Sequence, residues 1–350
     1  MAIVEELNID GIEERMASSL NKGKTNALKE KLREDIDTSL RPKKLSEVVG
    51  REKEKQKLEV LLNSAKSRND VIDHLLFYGP PGLGKTTFGY ALASEFGSNC
   101  IFSSGPGISS KAELASLISS LNEGDFLFID EIHRLNKVLE EFLYPIMEDF
   151  QMDVSLGKGT LSKVIKLDVP KFTLIGATTQ IGLISSPLRD RFGITFKLDF
   201  FSLPELVDIV LSYAQKLNLK IDKDAAKEIA RRSRGTARIA IRNLKRARDY
   251  ALHQGKETID KNCILEAFKQ LEIDELGLDA VMRKYLEVIM HNFEGGPVGL
   301  SNISASIYED ARTIEDVYEP YLIKIGFLKR TVQGRVVTQR CYDYFNSLDK

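Results

Sequence analysis

Cysteine is scarce: Cys100, Cys263 and Cys341 make an odd, widely spaced set of three with no CxxC pair. That excludes a disulfide framework and a zinc knuckle, and leaves buried reduced thiols as the expected state. An excess of either charge is also missing, since 50 Lys+Arg face 51 Asp+Glu for a net charge of −1. Bulk electrostatics therefore cannot drive binding to nucleic acid, and any such contact must come from a local patch. No apolar run approaches the roughly 18 residues of a membrane span. Glu5 and Glu6 interrupt the leading residues before an apolar stretch forms, so no signal peptide is expected and the chain is assigned to the cytoplasm. Internal repeats and low-complexity tracts are absent as well. What is present, 350 residues with 43% hydrophobic and 29% charged, is ordinary for folded protein and enough for two or three domains.

Residues 1–36 are charged and helix-permissive and carry no readable chemistry. Leu40-Arg41-Pro42-Lys43 breaks any helix, and an amphipathic helix bearing Leu58, Leu61, Leu62 and Ala65 follows Gly50. From 74 to 200, apolar runs at 75–78, 100–102, 126–129, 172–175 and 194–196 alternate with helical patterns such as Leu114, Leu117, Ile118 and Leu121. Continuous apolar strands separated by helices predict a parallel sheet covered on both faces, an α/β fold. After Pro204 the pattern is all-helical to about residue 272, with Asp222 as an N-cap and Gly235 and Gly255 as breaks. From 279, three short helical patterns precede apolar runs at 327–331 and 335–338 joined at Gln333-Gly334, the layout of a winged helix. Thr313 to Asp316 fits a capping box opening the third helix, with Pro320 kinking or restarting it.

Gly79-Pro80-Pro81-Gly82-Leu83-Gly84-Lys85-Thr86 directly follows the first strand and opens a helix. Backbone N–H groups converge on a phosphate only where a loop is tight and free of side chains, which Gly79, Gly82 and Gly84 permit. The helix N-terminus adds positive potential, Lys85 reaches the β- and γ-phosphates, and the Thr86 hydroxyl ligates Mg2+. A turn merely joining strand to helix would leave the Lys–Thr pair unexplained. This is a P-loop, and it implies ATP with Mg2+. Some 45 residues after Lys85, the run Phe126–Ile129 ends in Asp130-Glu131. Four apolar residues predict a strand at the sheet centre, with Asp130 holding the Mg2+ water shell and Glu131 polarising the attacking water. A DE pair alone is usually a solvated turn; behind a buried strand at this spacing it reads as a Walker B element. His133 is assigned a structural or coupling role rather than proton transfer.

Other groups are weaker taken singly. A hydroxyl from Gly176-Ala177-Thr178-Thr179 would bond the water or the γ-phosphate, although threonine is a normal strand residue. Arg189 and Arg191 flank Asp190 before the last strand. Such a guanidinium suits a neighbouring subunit's γ-phosphate, with surface ion pairing as the competing reading. Between Arg231 and Arg248 eight cations fall within eighteen residues, too many for one site, so most are solvated and Arg238, at a helix start, is the one expected inside. Lys324, Lys329, Arg330, Arg335 and Arg340 occur with no acid between 320 and 342. They make either a phosphate-contacting wing or an ordinary charged hairpin.

Taken in order, GPPGLGKTT, FLFIDEIHRLN, LYPIMEDF, TLIGATT, SPLRDRFGI, RGTARIA and GGPVGL…TIEDVYEPYLIKIGFLKRT…GR closely resemble the RuvB family, bacterial Holliday-junction branch-migration motors of the AAA+ class. The likeness runs from about residue 38 to 345. It implies an AAA+ P-loop core with a parallel sheet over 37–200, a small all-α lid over 201–274 and a C-terminal winged-helix DNA-binding domain over 275–350, after an unassigned extension, 1–36. By position, the resemblance makes Thr179 sensor 1, Arg191 a finger acting in trans and Arg238 sensor 2. It puts Leu40, Arg41, Thr87 and Phe201 in the nucleotide site, places Glu148, Asp149 and Phe150 near the nucleotide, and sets Arg330 and Arg335 against DNA. It further implies a homohexamer working with RuvC and with RuvA, the latter docking on the hairpin from Met152 to Asp168. Phe201 stands where a tyrosine is usual, Val48 where an aromatic is frequent, and Gln180 and Gln333 where basic residues are frequent. Two other architectures share parts of this plan. An ATP switch that loads proteins on DNA also joins an AAA+ core to a winged helix, but lacks the hairpin insert. A clamp-loader-like factor would need a helical collar in place of the hairpin at 327–338.

Overall fold

Five short strands between residues 75 and 197 organise the P-loop region, and three of them are buried along nearly their whole length. The computed structural model describes residues 41–156 and 163–348. The chain divides into two compact units, 1–41 and 42–350, and every element named here belongs to the second. After helix α1 (Glu52–Arg68) come β1 (Leu75–Tyr78), α2 (Lys85–Phe96), β2 (Cys100–Ser104), α3 (Lys111–Ser119), β3 (Phe126–Asp130) and α4 (Lys137–Asp149). The hairpin β4 (Gln151–Leu156) and β5 (Lys163–Asp168) follows, then β6 (Thr173–Thr178), α5 (Ser186–Asp190) and β7 (Ile194–Lys197). Strands β2-β3-β6-β1-β7 form one sheet, parallel throughout. Strand β3 is interior, but the middle of the sheet is β6. The expectation of β3 at the centre is thus corrected: an apolar run separates interior from edge, not second strand from third.

The strand period of two sorts side chains onto two cores. Leu75, Phe77, Phe126, Phe128, Ile175 and Ala177 face α1 and α2, while Leu76, Leu127, Ile129 and Leu174 face α3 and α4. The first core continues without a break into the lid, made of α6 (Leu203–Lys216), β8 (Lys220–Ile221), α7 (Lys223–Arg231), α8 (Ala237–His253), β9 (Thr258–Ile259) and α9 (Lys261–Gln270). A capping box between Ser202 and Glu205 starts α6. Asp222 does occupy the N-cap of α7, but its side chain makes no capping bond. The parallel pair β8–β9 is a small departure from the all-helical expectation.

A third core holds the winged helix. Its helices are α10 (Ala280–Glu287), extended by a π turn at Val288–Asn292, then α11 (Leu300–Ile307), α12 (Ala311–Thr313) and α13 (Glu319–Lys324). Strands β10 (Leu328–Thr331) and β11 (Gly334–Val337) make the wing, and α14 (Gln339–Leu348), absent from the sequence reading, closes it. The capping box expected at Thr313 is not formed. Asp310 caps instead, accepting from the N–H groups of Arg312 and Thr313, and Thr313 is itself helical. Between α12 and α13 the backbone widens into a π turn, Ile314–Tyr318, just ahead of Pro320, whose nitrogen has no proton to donate. Among the described residues no helix is long and apolar enough to cross a membrane. The three thiols are free; Cys263 and Cys341 are buried and Cys100 is half-buried.

Phe77 is fully buried, with ring centroids 5.5 Å from Phe88 and 5.1 Å from Phe196. Phe77→Ala should cost about 3–5 kcal/mol, read as a lower denaturation midpoint; an unchanged midpoint would contradict this account of the sheet core.

Candidate functional site

Strand order brings three loops together. Because β6 lies between β1 and β3, the P-loop, the carboxylates and the paired threonines all emerge at the C-terminal edge of the sheet, where α/β folds bind ligands. Gly79 has φ 141°, and a Cβ there would lie 2.2 Å from the Leu198 carbonyl oxygen, so the loop tolerates no side chain at that point. Lys85, the first residue of α2, is buried and donates to the carbonyls of Gly79 at 2.8 Å and Pro80 at 3.0 Å. Burial pushes its ammonium down to about 8, against the opposing pull of Glu131 and Asp130. Burial also raises the carboxyl of Asp130, helped by the charge of Glu131. Thr86 and Thr87 follow Lys85 on the first turn of α2, both half-buried. Hydroxyl and carboxylate are hard oxygen donors; among the described residues no group of three or more His, Cys, Asp or Glu side chains could hold a metal on its own. Such a sparse donor set suits an ion that arrives with phosphates.

Glu131 sits in the left-handed region at φ 47°. Its Oε2 accepts from the Thr179 N–H at 3.3 Å and the Thr179 hydroxyl at 3.1 Å, and lies 3.2 Å from His133 Nδ1. Burial opposes its ionisation, but the bonds from His133 and Thr179 outweigh burial and hold the carboxyl below the usual glutamate range. His133 Nδ1 is also 2.9 Å from the Thr178 hydroxyl. Thr179 and Glu131, singled out separately in the sequence, are thus direct partners.

The lid completes a cleft. The Arg238 N–H, at the start of α8, donates to the Gly82 carbonyl at 3.3 Å, and a Cβ on Gly82 would lie 2.8 Å from the Arg238 Cβ. An open cleft of ≈ 530 Å3 runs beside the P-loop, lined by Val48, Leu83, Thr87 and Phe201, and from the lid by Tyr213 and Ile241. Its apolar walls suit a nucleoside base. The Arg51 guanidinium caps the Phe201 ring at 4.1 Å and bonds the Asp199 carbonyl. Leu40 lies outside the described residues, and Arg41 belongs to the first unit.

Glu148, Asp149, Phe150 and Arg191 are elsewhere. Phe150 packs edge-on against His74 and Phe172, the residues just before β1 and β6. Arg191 bonds Glu148 at 3.2 Å and the Pro187 carbonyl at 2.7 Å, with its guanidinium 4.1 Å over the Tyr144 ring. This group occupies the N-terminal edge of the sheet. The six residues of β6 separate it from the P-loop edge, about 20 Å of strand. The Glu148–Phe150 segment therefore lies at the opposite edge of the sheet from the P-loop of its own chain.

In the wing, basic residues have partners within the chain. Glu319 is fully buried, accepting from the Tyr285 hydroxyl at 3.0 Å, from Arg335 Nε at 2.9 Å and from Arg330 Nε. Glu315 adds a contact to Arg335 at 3.2 Å and one to Arg330 at 3.4 Å. Lys324 lies 4.3 Å over the Phe200 ring. Three of the five cations read as a phosphate surface are therefore engaged within the chain, and for Arg330 and Arg335 the acidic partners sit just ahead of the acid-free window. Lys329 and Arg340 are exposed, and Arg330 keeps 40% of its side chain accessible.

Three family models match in succession: the Holliday junction DNA helicase RuvB P-loop domain over 40–198, the RuvB AAA lid domain over 201–274 and the RuvB C-terminal winged helix domain over 275–346. A Holliday junction branch migration complex subunit RuvB from Fusobacterium nucleatum is 49% identical over 315 residues, covering 90% of this chain and 95% of the relative. The chain belongs to the RuvB family. The subunit of the same description from Clostridium kluyveri is 48% identical over 316 residues, 90% of each chain. A solved structure of the Thermotoga maritima RuvB Holliday junction branch migration motor matches with a TM-score of 0.80 at 46% identity, covering 88% of this chain and 98% of that one. Like its RuvB relatives, this chain is a P-loop ATPase of the AAA+ class, with lid and winged helix behind the parallel-sheet core. Sequence reading overlooked Arg51, the lid wall at Tyr213 and Ile241, and the acids Glu315 and Glu319. The last two had a signal, being four residues apart ahead of a basic hairpin; Arg51 had none.

A triphosphate favours the protonated form of Lys85. With the free lysine near 8, ATP affinity should be flat below pH 8 and fall above it, approaching roughly tenfold per pH unit as binding takes up a proton. Titration of a fluorescent ATP analogue between pH 7 and 9.5 checks this; a flat profile would show that Lys85 stays charged.

Proposed function

We propose that this chain is an ATP-driven motor that moves double-stranded DNA at Holliday junctions, working as a hexamer. The observation that carries the reading is the placement of Arg191 at the edge of the sheet opposite the P-loop groups. Lys85, Asp130, Glu131 and Thr179 gather at the C-terminal edge of the sheet, whereas Arg191 and Glu148 occupy the opposite edge. A finger so placed serves the γ-phosphate of the next copy. The names of the relatives supply the substrate, the Holliday junction.

In this reading the backbone N–H groups of the P-loop and Lys85 hold the phosphates, while Phe201, Val48 and the lid enclose the base. Thr86 and Asp130 would hold Mg2+, which supplies charge neutralisation for the β- and γ-phosphates when bound. Glu131 orients and polarises the attacking water, and Thr179 aims Glu131. Arg191 of the next copy leaves Glu148 to meet charge developing on the γ-phosphate. Arg238, bonded to the P-loop at Gly82, carries the change to the lid. At the far end Lys329, Arg340 and the outer side of Arg330 face DNA phosphates, and Arg335 and Glu319 fix the hairpin that presents them. The hairpin β4–β5 exposes Ile165 and Leu167, an apolar pair suited to RuvA; its tip, 157–162, lies outside the described residues. RuvC is the third partner the family implies, and a cytoplasmic setting suits work on chromosomal DNA.

The test is branch migration of a synthetic four-way junction by purified protein with ATP, with and without RuvA. Strand exchange is expected with RuvA present; ATP turnover without any junction processing would sink the motor reading. Glu131→Gln should still bind ATP but lose hydrolysis by about 100-fold or more; a wild-type rate would remove Glu131 from its role. Arg191→Ala should lose about 1,000-fold in turnover and regain part of it when mixed with Glu131→Gln subunits, whose intact finger completes the mutant's own site. Full activity of Arg191→Ala on its own would remove the finger in trans.

A further inference from the structure

Gln180 is the first residue beyond the paired threonines, and there the sheet touches the winged helix. Its side-chain amide donates to Asp316 Oδ1 at 2.7 Å, with both residues half-buried. Its backbone N–H donates to the Thr178 hydroxyl at 2.9 Å. That hydroxyl lies 2.9 Å from His133 Nδ1, which in turn lies 3.2 Å from Glu131 Oε2. On the far side, Asp316 belongs to the π turn that also carries Glu315, the partner of Arg335 at 3.2 Å and of Arg330 at 3.4 Å. A row of polar contacts thus runs from the Walker B carboxylate to the wing without leaving one chain. Other links of the winged helix run to the lid and to the strand–lid connection, through Arg234 with Asp279 at 3.1 Å and Lys324 over Phe200. The Gln180 bond ties it to the sheet that carries the nucleotide groups.

We infer that Gln180 and Asp316 are positioning residues that couple the nucleotide site to the winged helix, letting the engagement of Glu131 bias the seat of the wing and DNA on the wing bias Glu131. This rests on the motor reading, which makes DNA the ligand of the winged helix. The physical basis is competition for one carboxylate. Thr179, His133 and the water all draw on Glu131, so a Glu131 turned toward water frees the His133 Nδ1 proton that it shares with Thr178, and the altered Thr178 hydroxyl is the group that anchors the Gln180 backbone. A single amide–carboxylate bond is strong enough to transmit that shift, being charge-assisted, and simple enough to break and re-form within a cycle. Coupling of this kind acts in both directions.

The experiment uses the full-length protein and compares ATP hydrolysis with and without duplex DNA. Gln180→Glu sets a carboxylate against Asp316, Asp316→Lys removes the acceptor, and the double variant restores attraction as an ion pair with donor and acceptor exchanged. Hydrolysis without DNA should stay near wild type in all three, while stimulation by DNA falls about fivefold or more in each single variant and returns to within about twofold of wild type in the double. Stimulation retained by either single variant, or a double variant no better than the singles, overturns the inference. Should a charged variant fail to fold, as judged by thermal melting, Gln180→Met and Asp316→Asn carry the same comparison: Gln180→Met must lose stimulation and Asp316→Asn must retain part of it. A wild-type protein that DNA does not stimulate would bring down the motor reading and this inference with it; stimulation in the wild type and variants alike brings down the inference alone.

Discussion

A buried ammonium group beside two carboxylates is the constraint on which the site depends. Lys85 is held on the carbonyls of its own loop, out of water, at the point where Asp130 and Glu131 leave the sheet. A cation there is poorly solvated and the carboxylates are crowded, so each group is short of compensation that phosphates and an accompanying cation would provide. The loop must remain tight, which demands glycine at 79, and the carboxylates must arrive from a neighbouring region of the sheet, which demands strands parallel to β1. The parallel fold is therefore not a neutral scaffold. It is the arrangement that delivers three loop ends to one edge.

The lid shares a core with the P-loop side of the sheet, whereas the winged helix has its own. Motion of the lid must disturb packing around α1 and α2, so a change in the cleft is felt at once by the elements that hold the phosphates. The winged helix is joined by individual polar contacts and can be displaced without opening a hydrophobic core. Dense packing near the nucleotide and sparse polar attachment near DNA suit a device in which a small displacement at one end is to become a larger one at the other.

Strand positions were legible because each strand is a short, continuous apolar run between helical patterns, and the P-loop was legible because its glycines and Lys–Thr pair have no other economical explanation. Strand order was not, since nothing local in Phe126–Ile129 or Phe172–Ile175 distinguishes the middle of a sheet from its flank. For that reason the sequence alone could not reveal that the Glu148–Phe150 segment faces away from its own P-loop. The helix start at Asp310 was missed because Thr313 offers an equally good local cap, and tertiary packing chose between them. The partners of the wing cations were not legible because charge was counted in a window, while Glu315 and Glu319 reach the hairpin from the segment before it. Thr179 and Arg238 were picked out by resemblance and by position in their elements; their contacts with Glu131 and Gly82 are three-dimensional facts.

The location of Arg191 has a consequence for stoichiometry. With Arg191 serving the next copy, as proposed, copies would join head to tail, and an open row of any length would begin with one site lacking its arginine and end with one arginine lacking a site. Only a row bent into a closed circle has as many complete sites as members. Turnover per subunit would then rise with assembly size in open oligomers and reach its full value when the last copy meets the first.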